Sequence, residues 1–330
     1  MDTVQAQLRA LLSPKGAQHF DDIILLRKLG TVNNISAIGH IYADLAAYAT
    51  ENGLTSSKEL IDRVDMFTRY FSDTRGRHSC SIVTAMQIMT KGLVAYVNKP
   101  IGETVTFLEK AYPSYEALSS TWTAQIKNYL ANLADGLQRV LLFDYSSTVS
   151  CLLSAAAERG KQLETYIPCS GMFYGGRQFI ADAVRYGHKP FVMPDVGMME
   201  FLQRADGAFI GAESLYADGG VSNSIGSDVV AVLCKACGTP FYVVSTMLKF
   251  NAASLEGQPK KYGYWDLRKR MDISLPQKVL DAADFRSRNL TQVDASCITA
   301  IVTELGVIPP SAMYHTGREY LQTWKESQHE

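Results

Sequence analysis

Apolar positions along the chain change their period near residue 140. Before it they recur at spacings of three and four, and Ile35, Ile38, Ile41, Tyr42 and Leu45 would share one face of a helix over 35–48. Ser56-Ser57-Lys58-Glu59 has the form of a capping box ahead of a helix over 60–71. Further apolar-faced helices are predicted over 79–93 and 115–137. From Val140 the pattern turns to short apolar runs separated by polar turns and helical stretches. Runs at 140–143, 165–167, 190–193 and 207–211 read as strands, with helices between the first three. The stretch from Phe209 to Phe250 organises the rest. Its turn on Asp218-Gly219-Gly220 uses the residue that reaches positive φ at least cost. Residues 223–235 then predict a helix with Ile225, Val229, Val232 and Leu233 on one face, and Phe241–Val244 predicts a buried parallel strand.

This alternation predicts an α/β fold: an N-terminal helical domain, then a Rossmann-like domain with a mostly parallel sheet between helices. The division is expected at 1–130 and 131–330, inside or just after the 115–137 helix. Residues 254–290, rich in charge at Lys260, Lys261, Arg268, Lys269 and Arg270, read as an ordered insertion or loop with a short helix.

Composition narrows the function classes. The chain has 330 residues, 47% hydrophobic and 20% charged, which suits two packed domains and not a disordered chain. A formal net charge of −1 gives no bulk electrostatic reason to bind nucleic acid or an anionic membrane. No apolar run approaches a membrane span, and the start MDTVQAQLRALL lacks the basic-then-apolar order of a signal peptide, so a cytoplasmic protein is expected. Six cysteines in a chain of this length predict free thiols.

Polar groups collect just after predicted strands, where open α/β sheets bind ligands. They are Asp144 to Ser147, Cys169 to Arg177, and Glu213 with Asn223. Asp144 and Ser147 are equally suited to capping the following helix. Cys234 and Cys237 have metal-ligand spacing but lie in a predicted helix with no second CxxC or His pair, so a structural pair is the simpler reading and no metal is expected. His78 beside Arg75 and Arg77 points to an anionic ligand or simply to an exposed helix start; His40 reads as structural. Gly175-Gly176 and Gly219-Gly220 are turn glycines that make neither a dinucleotide fingerprint nor a P-loop.

The segments GAES, DGGVSNSIG and PFYVV followed by LKF, together with Thr303-Glu304-Leu305-Gly306-Val307-Ile308-Pro309-Pro310-Ser311, resemble a known family. It comprises the alpha, beta and delta subunits of eukaryotic initiation factor 2B, methylthioribose-1-phosphate isomerase and ribose-1,5-bisphosphate isomerase. The resemblance covers about 70–315, with Thr74-Arg75 a weaker trace, and it is most specific in its C-terminal half. It implies that Asp144 stands where the isomerases have a catalytic cysteine and Glu213 where they have an aspartate. Those two groups share acid and base roles in moving a proton between C2 and C1 of an open-chain sugar, without metal or organic cofactor. A carboxylate in place of a thiolate keeps a base while changing its pKa and reach.

This chain departs from the family pattern elsewhere. Ser224 replaces the lysine of the Asn-Lys-Ile-Gly motif, and Gly171 falls on the arginine of the Glu-Thr-Arg-Pro loop. Asn33 to Gly39 is a remnant of the Arg-Gly-Ala phosphate motif, with Asn33 for its arginine. Preserved are Arg75, Asn223 and Lys249, with Arg177 at an aligned basic position; these are the expected substrate-binding residues, the cations holding a phosphate. The implied function is aldose–ketose isomerisation of a phosphorylated sugar or nucleoside-like compound. The alternative is a non-catalytic regulatory or scaffold subunit, like the initiation-factor alpha subunit, that binds phosphorylated metabolites. Either way a phosphorylated small molecule and a homodimer or larger homo-oligomer are the expected partners, with no direct nucleic acid and no membrane.

Overall fold

Ahead of the first strand the described chain is helical, as its three-and-four spacing dictates. A computed structural model describes residues 3–25, 27, 31–76, 79–170, 175–258, 262–269 and 274–325. Its first helices are α1 (Thr3–Ala10), α2 (Pro14–Ile24), α3 (Thr31–Glu51) and α4 (Ser57–Phe71). A π-helical turn at Ser72–Gly76 leads to α5 (Cys80–Met89), and a 3-10 turn at Leu93–Tyr96 to α6 (Ile101–Ala134). The described residues as far as Thr121, with those from Glu319 on, pack as one compact unit; Trp122–Arg318 forms a second. In the first unit all five apolar residues of the α3 stripe are buried, and Phe20 of α2 packs on Phe67 and Phe71 of α4. Ser56 caps α4 by accepting the Glu59 amide at 3.2 Å, while the Glu59 carboxylate goes to Arg63 instead of completing the box. Helix α6 begins at Ile101 and continues through Pro113, earlier than predicted from 115. Proline removes one N–H, but the buried row Thr104, Leu108, Ala111, Tyr115 runs on across it, and packing outweighs the lost bond.

The second unit alternates strands and helices as expected. In order come β1 (Arg139–Leu142), α7 (Ser147–Glu158), β2 (Glu164–Pro168), α8 (Gly176–Arg185), β3 (Lys189–Met193) and α9 (Met198–Leu202). Then follow β4 (Gly207–Ile210), β5 (Ser214–Leu215), β6 (Val221–Ser224), α10 (Ser227–Cys237) and β7 (Phe241–Val244). The remainder is β8 (Tyr264–Asp266), α11 (Gln277–Ala282), β9 (Arg286–Arg288), β10 (Leu290–Val293), β11 (Ala300–Thr303), β12 (Gly306–Ile308) and α12 (Met313–Lys325). Seven strands form one sheet in the order β12-β11-β7-β4-β1-β2-β3, parallel except for β12. Its core joins Val140, Leu142, Ile167, Phe209 and Val302 of the sheet to Leu152 and Leu153 of α7 and Phe179 of α8.

Three readings are corrected here. Between β4 and α10 the chain inserts the antiparallel pair β5–β6, extended by β10 into a three-stranded sheet. Asn223 and Ser224 therefore lie on a strand, and the helix starts at Ser227. That helix buries Val230, Ala231 and Cys234, leaving Val229 and Val232 exposed, so its inward face is rotated from the predicted one. The 254–290 insertion carries, besides its short helix, the β8–β9 hairpin; Lys260, Lys261 and Arg270 lie outside the described residues, as do Arg77, His78 and Gly171. Gly219 has φ +82°, as its turn requires, and Gly220 donates its amide to Asp218 Oδ1 at 2.8 Å.

Candidate functional site

The connectivity of the large sheet sets where its crevice opens. From β1 the chain moves outward through β2 and β3, then returns to lay β4 on the other side of β1. Strand order reverses between β1 and β4, and that switch point is where open α/β sheets place ligands, at the carboxyl ends of the strands. Asp144 follows β1 and Glu213 follows β4, in parallel register through Leu142 opposite Phe209. The Phe143 amide extends this pairing to Phe209 O at 3.2 Å. Both carboxylates thus leave one edge on adjacent strands.

Asp144 is held in an unusual conformation. Its φ is +52°, left-handed backbone that aspartate tolerates better than most residues but still at a cost of about 1–2 kcal/mol. The helix cap proposed for Asp144 or Ser147 belongs to Ser146, whose hydroxyl accepts the Val149 amide. Next to Asp144, the Tyr145 hydroxyl donates to Asp182 Oδ2 at 3.2 Å, and Ser150 donates to the same oxygen at 2.6 Å. Asp182 is buried on α8 and also accepts from Gln178, so the turn after β1 is fastened to the neighbouring helix. Burial and the Asp182 carboxylate push the Tyr145 pKa up to about 12, keeping it a donor. Gly175 packs against the turn: a Cβ there would lie 2.5 Å from Asp144 Oδ1. Gly226 does the same beneath, where a Cβ would lie 2.8 Å from the Phe143 ring.

The Asp144 carboxyl is half-buried and hydrogen-bonds Ser224. Burial raises the Asp144 pKa from its ordinary value, with Ser224 opposing.

Glu213 is half-buried and donates its amide to Ser222 O at 2.7 Å, tying β4's exit to the β5–β6 pair. Lys249, in the 3-10 turn Met247–Lys249 after β7, extends its Nζ to Ala212 O at 2.5 Å, beside Glu213. Asn223 is buried and turns its Nδ2 to Ser227 Oγ at 3.0 Å. Arg177 is exposed in the first turn of α8. Arg75 lies in the other unit, where its guanidinium donates to the carbonyls of Ile23 and Ile24 at the end of α2; burial lowers its pKa. The structure thus assembles Asp144, Glu213 and Lys249 on three neighbouring strand ends, while Arg75 serves as a helix cap.

Sequence reasoning missed Ser224 as a partner of Asp144, missed Asp182 altogether, and gave Glu304 no role beyond its place in a matching segment. Asp182 carried a signal: it sits between Phe179 and Ala183 on the buried face of α8, where a carboxylate needs partners. Elsewhere, Asn33 and Ser36 line a cavity of about 330 Å³ with His19 and His40, whose rings stack at 5.2 Å. A cleft of about 930 Å³ in the helical unit, lined by Tyr96, Phe107, Tyr115 and Trp324 among others, is mainly apolar. All six cysteines are free; Cys234 is pushed up to about 12 by burial and then by Cys237 and Cys297. Among the described residues no three His, Cys, Asp or Glu side chains are placed to hold a metal ion, and no helix is long and apolar enough to cross a membrane.

The pattern for the Initiation factor 2 subunit family matches residues 37–310. The chain belongs to this family. Within the initiation factor 2 subunit family it is 26% identical over 187 residues to ribose 1,5-bisphosphate isomerase of Haloterrigena turkmenica, covering 54% of this chain and 57% of that one. To translation initiation factor eIF2B subunit alpha of Dictyostelium discoideum it is 27% identical over 207 residues, covering 59% and 63%. The chain thus spans less than two thirds of the length of these curated relatives. The fold matches 5-methylthioribose 1-phosphate isomerase from Pyrococcus horikoshii OT3 with TM-score 0.72 at 16% identity, over 94% of this chain and 92% of that one.

Proposed function

We propose that the chain is an aldose–ketose isomerase of a phosphorylated sugar or nucleoside-like compound, with Asp144 and Glu213 as the proton-transferring pair. The observation that carries this reading is the placement of both carboxylates at the β1–β4 switch point of an α/β sheet. Similarity to phosphosugar isomerases supports the substrate class. In the forward direction an acid protonates the ring oxygen as its bond to C1 breaks, opening the sugar with O1 still carrying phosphate, and a base removes the C2 proton. The resulting enol phosphate loses its C2 hydroxyl proton as C1 takes up a proton, leaving the C2 ketone with the phosphate ester intact. Asp144, its pKa raised by burial, serves as the acid, and Glu213 as the base. Lys249 provides positive charge for the phosphate or the developing enediolate oxygen; Asn223 and Arg177 are further binding candidates.

The test is a panel of C1-phosphorylated pentoses, including ribose 1,5-bisphosphate and 5-methylthioribose 1-phosphate, assayed by NMR in deuterated water. Turnover with label entering at C1 is expected. Binding without turnover across the panel sinks the enzyme reading. It would favour the second reading, a non-catalytic subunit of an initiation-factor assembly, which the similarity to the Dictyostelium discoideum subunit supports. Co-purification with other exchange-factor subunits distinguishes that case. We also propose a homodimer or a multiple of it, using the exposed apolar Leu305, Val307 and Tyr314. A concentration-independent monomer in light scattering excludes it.

A further inference from the structure

We infer that Glu304 is a positioning residue that fixes where the Lys249 ammonium stands at the ligand-binding edge. Strand β11 runs parallel to β7 with Val302 opposite Val244, so both chains emerge at the edge that carries Asp144 and Glu213. Glu304 is the first residue past β11 and is only 4% exposed. Both of its carboxylate oxygens accept the Met247 amide, at 3.0 and 3.1 Å. Met247 opens the 3-10 turn that ends at Lys249, whose Nζ reaches Ala212 O at 2.5 Å. A continuous path, Glu304 to Met247 to Lys249 to Ala212, therefore joins the end of β11 to the residue before Glu213.

The far end of the turn is tied down separately. Phe250 donates its amide to Met247 O at 2.8 Å and Asn251 donates to Leu215 O at 2.9 Å. Upstream, Ser245 donates to Val302 O at 3.0 Å. Glu304 holds the point between these anchors, where the turn changes direction toward β4. A buried carboxyl group is an expensive means of capping one amide when serine or asparagine would do. Its length is what lets it span from β11 to the turn. Burial raises its pKa, with its own backbone amide and that of Met247 opposing, and either protonation state retains an oxygen able to accept the Met247 N–H.

The importance of Lys249 to ligand binding rests on the function proposed above; its positioning by Glu304 does not, and the two are tested separately. The full chain is compared as wild type, Glu304→Gln, Glu304→Ala, Lys249→Ala and the double variant Glu304→Ala/Lys249→Ala. Competitive acetylation with acetic anhydride, read by peptide mass spectrometry, reports the freedom of each lysine. Labelling of Lys249 should accelerate about fivefold or more in Glu304→Ala, with Lys189 and Lys235 unchanged, and return to the wild-type rate in Glu304→Gln, which keeps an acceptor oxygen. Affinity for ribose 1,5-bisphosphate, by calorimetry, should fall about tenfold in Glu304→Ala and no further in the double variant than in Lys249→Ala alone. Unchanged Lys249 labelling in a folded Glu304→Ala, or independent multiplication of the two affinity losses, overturns the inference. If Glu304→Ala does not fold, Glu304→Ser, too short to reach Met247, takes its place under the same criteria. Wild-type protein that binds no ribose 1,5-bisphosphate removes this ligand from the functional reading, while the labelling still decides the positioning.

Discussion

Strands β1 and β4 carry an aspartate at each end of their shared seam, and the two are treated in opposite ways. At the amino edge, Asp206 accepts the Gln138 and Arg139 amides at 2.8 and 2.7 Å and pairs with the Arg139 guanidinium at 3.4 Å. Burial alone would raise its pKa, but those two amides and the guanidinium outweigh it and hold it below the usual carboxylate value. At the carboxyl edge, Asp144 has left-handed backbone and a raised pKa, with Ser224 as its hydrogen-bond partner. One carboxylate is spent on joining strands, the other is kept short of full satisfaction. Departures of this second kind, in charge and backbone together, concentrate where a protein does chemistry.

The comparison breaks most visibly on turnover. Asp144→Asn should lower the rate about 10²–10⁴-fold in the NMR isomerisation assay while leaving phosphosugar affinity within a few-fold. Unchanged turnover would remove Asp144 from the chemistry. Asp206→Ala should instead cost about 2–3 kcal/mol in urea unfolding, because two amides and a guanidinium lose a charged acceptor. Its pH dependence follows from the depressed folded pKa: the stabilisation is complete above the unfolded value and disappears as pH falls through the folded one. The wild type and Asp206→Asn curves should therefore converge in acid; a constant gap contradicts the assignment.

Lys249→Ala should weaken calorimetric affinity for ribose 1,5-bisphosphate about tenfold, through loss of a point charge at the edge. An unaltered affinity separates Lys249 from the ligand. Smallest of all, Asp144→Asn should raise stability by about 0.5–1 kcal/mol near neutral pH, the trade expected of a functional group held under strain. Here the sign is reversed. A folded pKa above the unfolded one means that any stability linked to the protonated form is present below the unfolded value and lost as pH rises through the folded one. The advantage of asparagine should thus appear only on the alkaline side of that transition, and thermal unfolding over a pH series measures it.

The large sheet was legible because β4 and β7, and β1 after Arg139, are short apolar runs, and β2 carries Tyr166 and Ile167 between helices. The β5–β6 pair was not, because Val221-Ser222-Asn223-Ser224 has almost no apolar signal and is paired by β10, some 65 residues later. The turn of α10 was misjudged for a related reason: Val229 and Val232 are apolar yet exposed, while Ser227 is buried. Within the site, Asp144 and Glu213 could be found from their place after strands. Ser224 and Glu304 could not, since each acts through a contact made by tertiary packing, while Asp182 was signalled only by its place on the apolar face of α8.

The close approach of Gly175 to the Asp144 carboxylate has a genetic side. Every amino-acid replacement reachable from a glycine codon by a single base change brings a Cβ with it. At Gly175 that atom would meet Asp144 Oδ1 at 2.5 Å and the Tyr145 amide nitrogen at 2.9 Å. The lineage carrying this site therefore has no one-step path at Gly175 that leaves the aspartate where it is. In a saturation library selected for activity, position 175 should stand out as glycine alone.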